Sequence, residues 1–526
     1  MKPLLPALLL ALPLPALAAT PDTALVMAYN IDAISTFDPA QVAEVVTDEI
    51  LTNTCDALVD FDPGDEANFI PSLAERWDVA EDGQTITFHL KEGLVFPDGT
   101  PATARDLIWS MHRVLSLGYG NAAQLTDFGF TAENMAERIT APDDRTVILS
   151  LDRPYPVNLV MGSIGANRVS FLLNRAEIEP NAQGEDMGNA WLGARTACVG
   201  PYTLARWNSG ESVMLEASER YAGPAPALPR ILIRHVAEPG TQRLMLQHGD
   251  VDIARNLNPD DLVAVAEMDG LRVDTALKPS MFYMAMNLSQ KPFDDPKVRL
   301  AMRYLIDYQG LGDTVMNGIG VPRASFVQLG AYGALDEEAG QPFNLDIEKA
   351  RALLAEAGYP EGFTVSLILG SHAYADPIAQ TIQEAAAKVG VTFQIERMAN
   401  SQLFAKTRAR EFQAAMLGFK TSVPDAHGMA SRHVANPDNG AGAGLGQYPS
   451  WRSAYHDPAM NARVEDALFE RDPATRTEMY HQLQRDVMQD GPQAYIMQTM
   501  ESAALSDAVT EWTWNGFRTY YDLAAK

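Results

Sequence analysis

Asn287-Leu288-Ser289-Gln290-Lys291-Pro292-Phe293-Asp294-Asp295-Pro296-Lys297-Val298-Arg299 continues through Met302 and Leu305 to Ile306-Asp307. Asp295 is placed to cap a helix, with Pro296 in the first turn, where a missing N–H is no loss. Val298, Met302 and Leu305 then recur at helical spacing, a stripe to be buried. Downstream, a second helix is expected to begin after Asp346 and to stop at Gly358, with Pro360 just beyond. Upstream, Asp82-Gly83 marks a turn, after which Ile86, Phe88 and Leu90 alternate with Thr85, Thr87 and His89. That alternation predicts a strand with one buried face and His89 pointing outward. Thr103 with Asp106 resembles a capping box, and Leu107, Met111 and Val114 share one face of the helix it opens. Helices and strands are thus mixed, no solenoid repeat is evident, and the fold class is α/β.

At 526 residues, 47% hydrophobic and 21% charged, the chain is too long for one core and predicts about three domains of roughly 100–200 residues each. Its 40 Lys and Arg stand against 68 Asp and Glu, a formal net charge of -28. Such a chain repels phosphate backbones and anionic lipid, so no nucleic-acid or membrane-surface partner is expected. Lys2 precedes an apolar run from Leu4 to Leu17 that Pro6, Pro13 and Pro15 interrupt. Ala16-Leu17-Ala18 supplies small residues for cleavage before Ala19, so residues 1–18 read as a secretory signal peptide. A membrane anchor would need about 20 unbroken apolar residues.

Further blocks follow one another in a fixed order. They include Pro71-Ser72-Leu73-Ala74-Glu75-Arg76-Trp77, Phe96-Pro97-Asp98-Gly99-Thr100-Pro101, Gly200-Pro201-Tyr202, Leu246-Gln247-His248-Gly249-Asp250-Val251-Asp252 and Glu356-Ala357-Gly358-Tyr359-Pro360. Together with the segment Asn287–Asp307, and from about Phe37 to Gly491, they resemble the family 5 extracytoplasmic solute-binding proteins of ABC importers, the peptide and nickel type.

This resemblance implies a periplasmic-binding-protein-like two-lobed fold with an additional third domain and the ligand in the interlobe cleft. Residues 19–62, 196–283 and 500–526 would form lobe I, and residues 284–499 lobe II. Residues 63–195 would be the additional domain, packed on lobe I and away from most ligand chemistry. The chain then crosses between lobes more than once, and closure is a hinge motion that buries the ligand. The implied partners are a peptide-like or other small-molecule ligand and an ABC permease with its ATPase subunits, and the carrier would be a monomer without cofactor. No Cys follows the apolar run, so the mature chain is expected free in the periplasm and not as a lipoprotein. Cys55 and Cys198 would lie in or beside one domain of an exported protein, where a bridge and two buried thiols are both open readings.

A ligand shifts an open–closed equilibrium only by contacting both halves, so site residues should come from both. From lobe I the candidates are Tyr29 and Asn30, at the end of the strand Leu25 to Tyr29, and Phe37 in the turn that follows. From lobe II they are Phe419, Lys420, Ser422 and Asp425, with His372 and Tyr374 in the loop after the strand Val365 to Leu369. Peptide carriers of the family place an Asp three residues after a Gly-Trp aromatic, to neutralise the peptide's ammonium group. Here Phe419 holds the aromatic position and Ser422 that of the Asp. A neutral hydroxyl cannot balance a buried ammonium, and an unpaired one costs several kcal/mol. Asp425 would substitute only if the loop bends differently, and the loop Gly370 to Asp376 holds no Arg to clamp a carboxylate. The departure speaks against an ordinary dipeptide, while Lys420 points to an anionic group on the ligand. Gly200 also stands after Cys198-Val199 where the family has a Gly-Thr pair, and is expected to serve by its backbone freedom.

Two alternatives share the fold: a nickel or metal-chelate carrier, or a sugar or opine-type carrier. His427 and His433 are the residues a metal reading would use, but a spacing of six does not set two imidazoles on one helical face. No metal ligand set is assigned. An enzyme is not expected, because the chain has no HExxH, GxSxG or GxxxxGK.

Overall fold

The computed structural model describes residues 20–370, 372 and 374–526, so the signal peptide expected at 1–18 lies outside the described residues. Strand Ala24–Tyr29 is buried along its whole length. Leu25, Met27 and Tyr29 enter one core with Ile50, Leu215 and Ile231, while Val26 and Ala28 enter another with Leu246 and Val265. A strand covered on both faces reads as an unbroken apolar run, which is why this one shows no alternation. It pairs in parallel with Arg230–His235 and Ile253–Ala254.

These strands belong to an eleven-stranded sheet that runs through both halves of the molecule. Its central pair, Leu271–Met286 and Gln493–Ser506, is antiparallel. Leu271–Leu277 pairs with Met500–Ser506 in the first half, and Met281–Ala285 with Gln493–Gln498 in the second. The register breaks between Leu277 and Met281, and shifts again between Phe282 and Tyr283. In the second half Phe282, Met284 and Met286 enter one core, and Met281, Tyr283 and Ala285 the opposite one, as a two-residue period requires. Ala414–Lys420, Thr364–Leu369 and Thr392–Arg397 extend this half to one side, and Gly320–Pro322 pairs with Met497–Thr499.

The helix read from Asp295 spans Pro296–Tyr304, with the Asp295 carboxylate accepting from the Lys297 N–H at 2.8 Å. Val298, Met302 and Leu305 are fully buried, each such side chain being worth roughly 1.5–3 kcal/mol. Helix Ile347–Glu356 follows Asp346, which accepts from Lys349, and Gly358 beyond it takes the left-handed φ of 86° that glycine tolerates.

Between the strands of the first half lies a four-stranded sheet, in the order Ala74–Val79, Thr85–Leu90, Thr146–Ser150 and Ile139–Thr140. Ile86, Phe88 and Leu90 are buried there, and His89 lies outward against Asp78 at 2.9 Å. Helix Ala104–Leu117 packs on this sheet and carries the capping box of Thr103 and Asp106. Its Arg113 donates two hydrogen bonds to Asp38, at 2.7 and 2.6 Å, and both side chains are 0% exposed. This pair ties the segment to the turn that follows strand Ala24–Tyr29.

Cys55 and Cys198 are joined in a disulfide, with their Cα atoms 5.1 Å apart. The bridge therefore closes off the chain between the end of helix Val45–Thr54 and the return at Cys198. Gly200 next to it keeps an ordinary φ, in contrast to the freedom expected of it. Its role is close approach, since an added Cβ would press on the Thr54 carbonyl and come within 2.8 Å of the Cys55 nitrogen.

Candidate ligand-binding site

Strand Ala414–Lys420 ends at the register break of the central pair, where Lys420 pairs with Ser280 and Phe419 with Met281. The Thr421 N–H donates to the Pro279 carbonyl at 2.9 Å, so the chain turns directly over Lys278–Ser280. Ligands of open α/β sheets gather at such carboxyl ends of strands. Two cavities meet there and share Gln124, Lys420, Thr421 and Ser422. The smaller, about 220 Å³, reaches Asp48 and Thr52 of helix Val45–Thr54, Asp60, Arg168 and Arg518. The larger, about 1010 Å³, opens between residues 120–163 and 419–469.

Charges on the walls are mostly matched. Arg168 pairs with Asp48 at 2.5 Å and Arg518 pairs with Asp60 beside the smaller cavity. Arg432 pairs with Asp127 at 2.5 Å and Arg153 with Glu465 at 2.9 Å beside the larger. Lys420 differs, having no hydrogen bond or ion pair among the described residues. Its side chain is reached by solvent yet surrounded by protein, as in a wet cleft. Desolvation pulls its ammonium below the usual lysine range, and Asp48 opposes this from a distance.

Beneath the site, Glu501 on strand Gln493–Ser506 pairs with both Lys278 and Arg255. Burial raises its carboxyl, but the two cations outweigh burial and hold it at about 2. Arg255 also pairs with Glu49 and lies over the ring of Tyr29 at 4.8 Å.

The structure gathers Phe419, Lys420 and Ser422 around these cavities and leaves the other candidates elsewhere. Tyr29 is 6% exposed and is packed against Arg255. The Asn30 N–H donates to the Asn256 side-chain oxygen at 2.7 Å, and the Asn30 side-chain oxygen accepts from the Asp32 N–H at 3.0 Å. Phe37 is fully buried, edge-on to Trp207 at 5.2 Å. His372 stacks on Tyr374 at 5.4 Å, and Tyr374 meets Phe282 edge-on at 4.8 Å. Asp425 is 2% exposed, caps helix Ala426–His433 and takes both bonds of Arg476 at 2.9 Å. Its carboxylate is committed inward, so it does not replace the acid missing at Ser422. None of these six lines either cavity.

Residues 63–195, expected to lie away from most ligand chemistry, contribute to both cavities: Gln124, Asn167 and Arg168 line the smaller, and Asp127, Phe128 and Tyr155 the larger. No local pattern marks these residues. Each is brought in by packing between segments distant in sequence, and ion pairs spanning some 300 positions leave no periodic trace. His427 and His433 are also occupied, bonded to Tyr480 at 3.1 Å and Tyr495 at 2.7 Å. Desolvation pushes their imidazoles down to about 4 and about 3. Among the described residues no group of three or more His, Cys, Asp or Glu side chains is arranged to hold a metal.

The sequence matches the description "Bacterial extracellular solute-binding proteins, family 5 Middle" over residues 68–441. The chain belongs to this family. It is 28% identical over 522 residues to the probable D,D-dipeptide-binding periplasmic protein DdpA of Escherichia coli (strain K12), covering 98% of this chain and 96% of DdpA. It is also 28% identical to the glutathione-binding protein GsiB of the same strain, over 87% of this chain and 86% of GsiB. Among solved structures, the substrate-binding protein CtaP of Listeria monocytogenes superposes with a TM-score of 0.81 at 20% identity, covering 95% of this chain and 98% of CtaP. A family 5 protein is a two-lobed binder.

Proposed function

We propose that this family 5 protein captures a peptide-like solute between its halves and hands it, unchanged, to an ABC permease and its ATPase subunits. The observation that carries this reading is that Lys420, Thr421 and Ser422 line both cavities directly over Lys278–Ser280, where the central strands change register. A solute touching helix Val45–Thr54 and Lys420 together binds the closed form better than the open one, and so drives closure. The second-half contacts are Phe419, Lys420 and Ser422; the first-half contacts are Asp48 and Arg168. The hinge lies at residues 278–280 and 498–500, a few residues before the boundary at 283 read from sequence. DdpA and GsiB are named for a dipeptide and for glutathione, which supports a peptide-like solute. DdpA is named as periplasmic, and among the described residues no helix is long and apolar enough to cross a membrane; we place the mature chain in the periplasm as a monomer.

Native mass spectrometry of protein purified from the cells that make it tests the reading. A peptide-like compound should be retained and recovered with the same mass after prolonged incubation. A retained compound converted to product would make the protein an enzyme, and a free metal ion as sole cargo would favour the metal carrier.

A further inference from the structure

The walls of the two cavities hold four carboxylates, Asp48, Asp60, Asp127 and Glu465, and each is paired with an arginine. Asp425, the acid closest to Lys420 in sequence, is paired with Arg476, and Glu501 is paired with Lys278 and Arg255. No lining carboxylate is therefore left to meet an ammonium group. The one unmatched charge among the described lining residues is the ammonium of Lys420, and Asp48, Lys278, Arg168 and Glu501 act on it only at longer range. A chain with a net charge of -28 has thus placed an uncompensated cation where the cavities meet. Such a charge, surrounded by protein, is stabilised when an anion arrives.

The larger cavity adds a second requirement. Phe128, Tyr155, Phe419, Tyr448 and Phe469 line it, with Leu159, Val423, Val464 and Leu468 between them. Its two ion pairs use up the charges of Asp127, Arg432, Arg153 and Glu465. At about 1010 Å³ it reaches the top of the size range of ordinary small-molecule pockets, about 300–1,000 Å³, whereas the smaller cavity at about 220 Å³ admits only an end group. An aromatic-lined space of that size favours a bulky apolar group, because burying apolar area is the dominant favourable contribution.

We propose that the solute is a peptide-like acid with no free ammonium at its bound end: its carboxylate meets Lys420, and a bulky apolar group fills the chamber between residues 120–163 and 419–469. This rests on the carrier reading and narrows it. The chamber also gives residues 63–195 a direct part in selectivity, since Phe128 and Tyr155 would read the apolar group from one side while Phe419 and Phe469 read it from the other.

The test offers the purified protein an equimolar mixture of N-acetylated, free and C-amidated forms of one set of aromatic and aliphatic dipeptides. Retained species are identified by mass spectrometry, for the parent, Lys420→Gln and Ala462→Trp. Both positions are exposed, so melting temperatures should match that of the parent. Ala462 lines the larger cavity, and a Trp there fills it. The parent should retain the N-acetylated acids and exclude the C-amides. Lys420→Gln should bind all members about tenfold more weakly or worse, the size of one lost charge-assisted contact. Ala462→Trp should lose the aromatic members first. Equal retention of free or amidated peptides, an unchanged profile in Lys420→Gln, or retention of no member would each overturn the assignment. The carrier reading is judged separately, by whether the parent retains any compound from an extract of its own cells.

Discussion

Asp56 is a buried carboxyl whose protonation is tied to folding. It is 5% exposed and accepts from the Tyr221 hydroxyl at 2.9 Å. Burial pushes it from 3.8 up to about 6, with Arg518 opposing. The folded state then holds this proton more tightly than the unfolded chain. Its contribution to stability is present in full below about pH 4 and is lost as the pH rises through about 6, at most about 3 kcal/mol. Asp56→Asn keeps an acceptor for Tyr221 and should flatten that fall, seen as urea midpoints that no longer drop between about pH 4 and about pH 7. Parallel pH profiles for the two proteins would contradict the assignment. Legibility at this scale was uneven. The place of Phe419, Lys420 and Ser422 on the cavity walls agrees with a reading taken from a strand end and a family pattern. Asp425 could not, because its partner Arg476 lies 51 positions away and nothing local announces the pair. Tyr29 and Phe37 look the same in sequence whether an aromatic faces a cleft or a core.

Helices and strands with one buried face were the most legible elements, since caps and periodicity are local. Helix Ala104–Leu117 and strand Thr85–Leu90 stand where their patterns put them. Helix Val45–Thr54 was missed: its hydrophobic pattern is weak, and Glu44 at its N-cap makes no side-chain capping bond. It nonetheless supplies Asp48 and Thr52 to the cavity wall. The disulfide holds its C-terminal end, because Cys55 follows it directly and also lines the smaller cavity. Its two cysteines are 143 positions apart, so the bridge removes a long loop's freedom from the unfolded chain, which is worth on the order of 2–5 kcal/mol. A Cys55→Ser, Cys198→Ser variant should melt at a clearly lower temperature than the parent in calorimetry. The reduced parent should match the variant. Equal melting temperatures for oxidised and reduced parent would remove the bridge as a source of stability.

For the whole molecule, two-lobed organisation was readable because many blocks in one order resemble one family. The shared wall between residues 63–195 and the second half was not, since it depends on how separate cores meet. That wall matters for movement. Arg432 with Asp127, Arg153 with Glu465, and Tyr155 against Phe469 at 5.5 Å all join segments that a hinge at 278–280 would part. The exposed pair of Arg153 with Glu465 is worth at most about 1 kcal/mol, so on its own it does not hold the halves together without a ligand between them. Small-angle X-ray scattering on the solute-free protein, repeated with a saturating amount of the solute recovered from it, tests closure most directly. Capture between the halves predicts a smaller radius of gyration and a higher melting temperature with the solute bound. A saturated protein whose scattering profile is the same as that of the free form would contradict it.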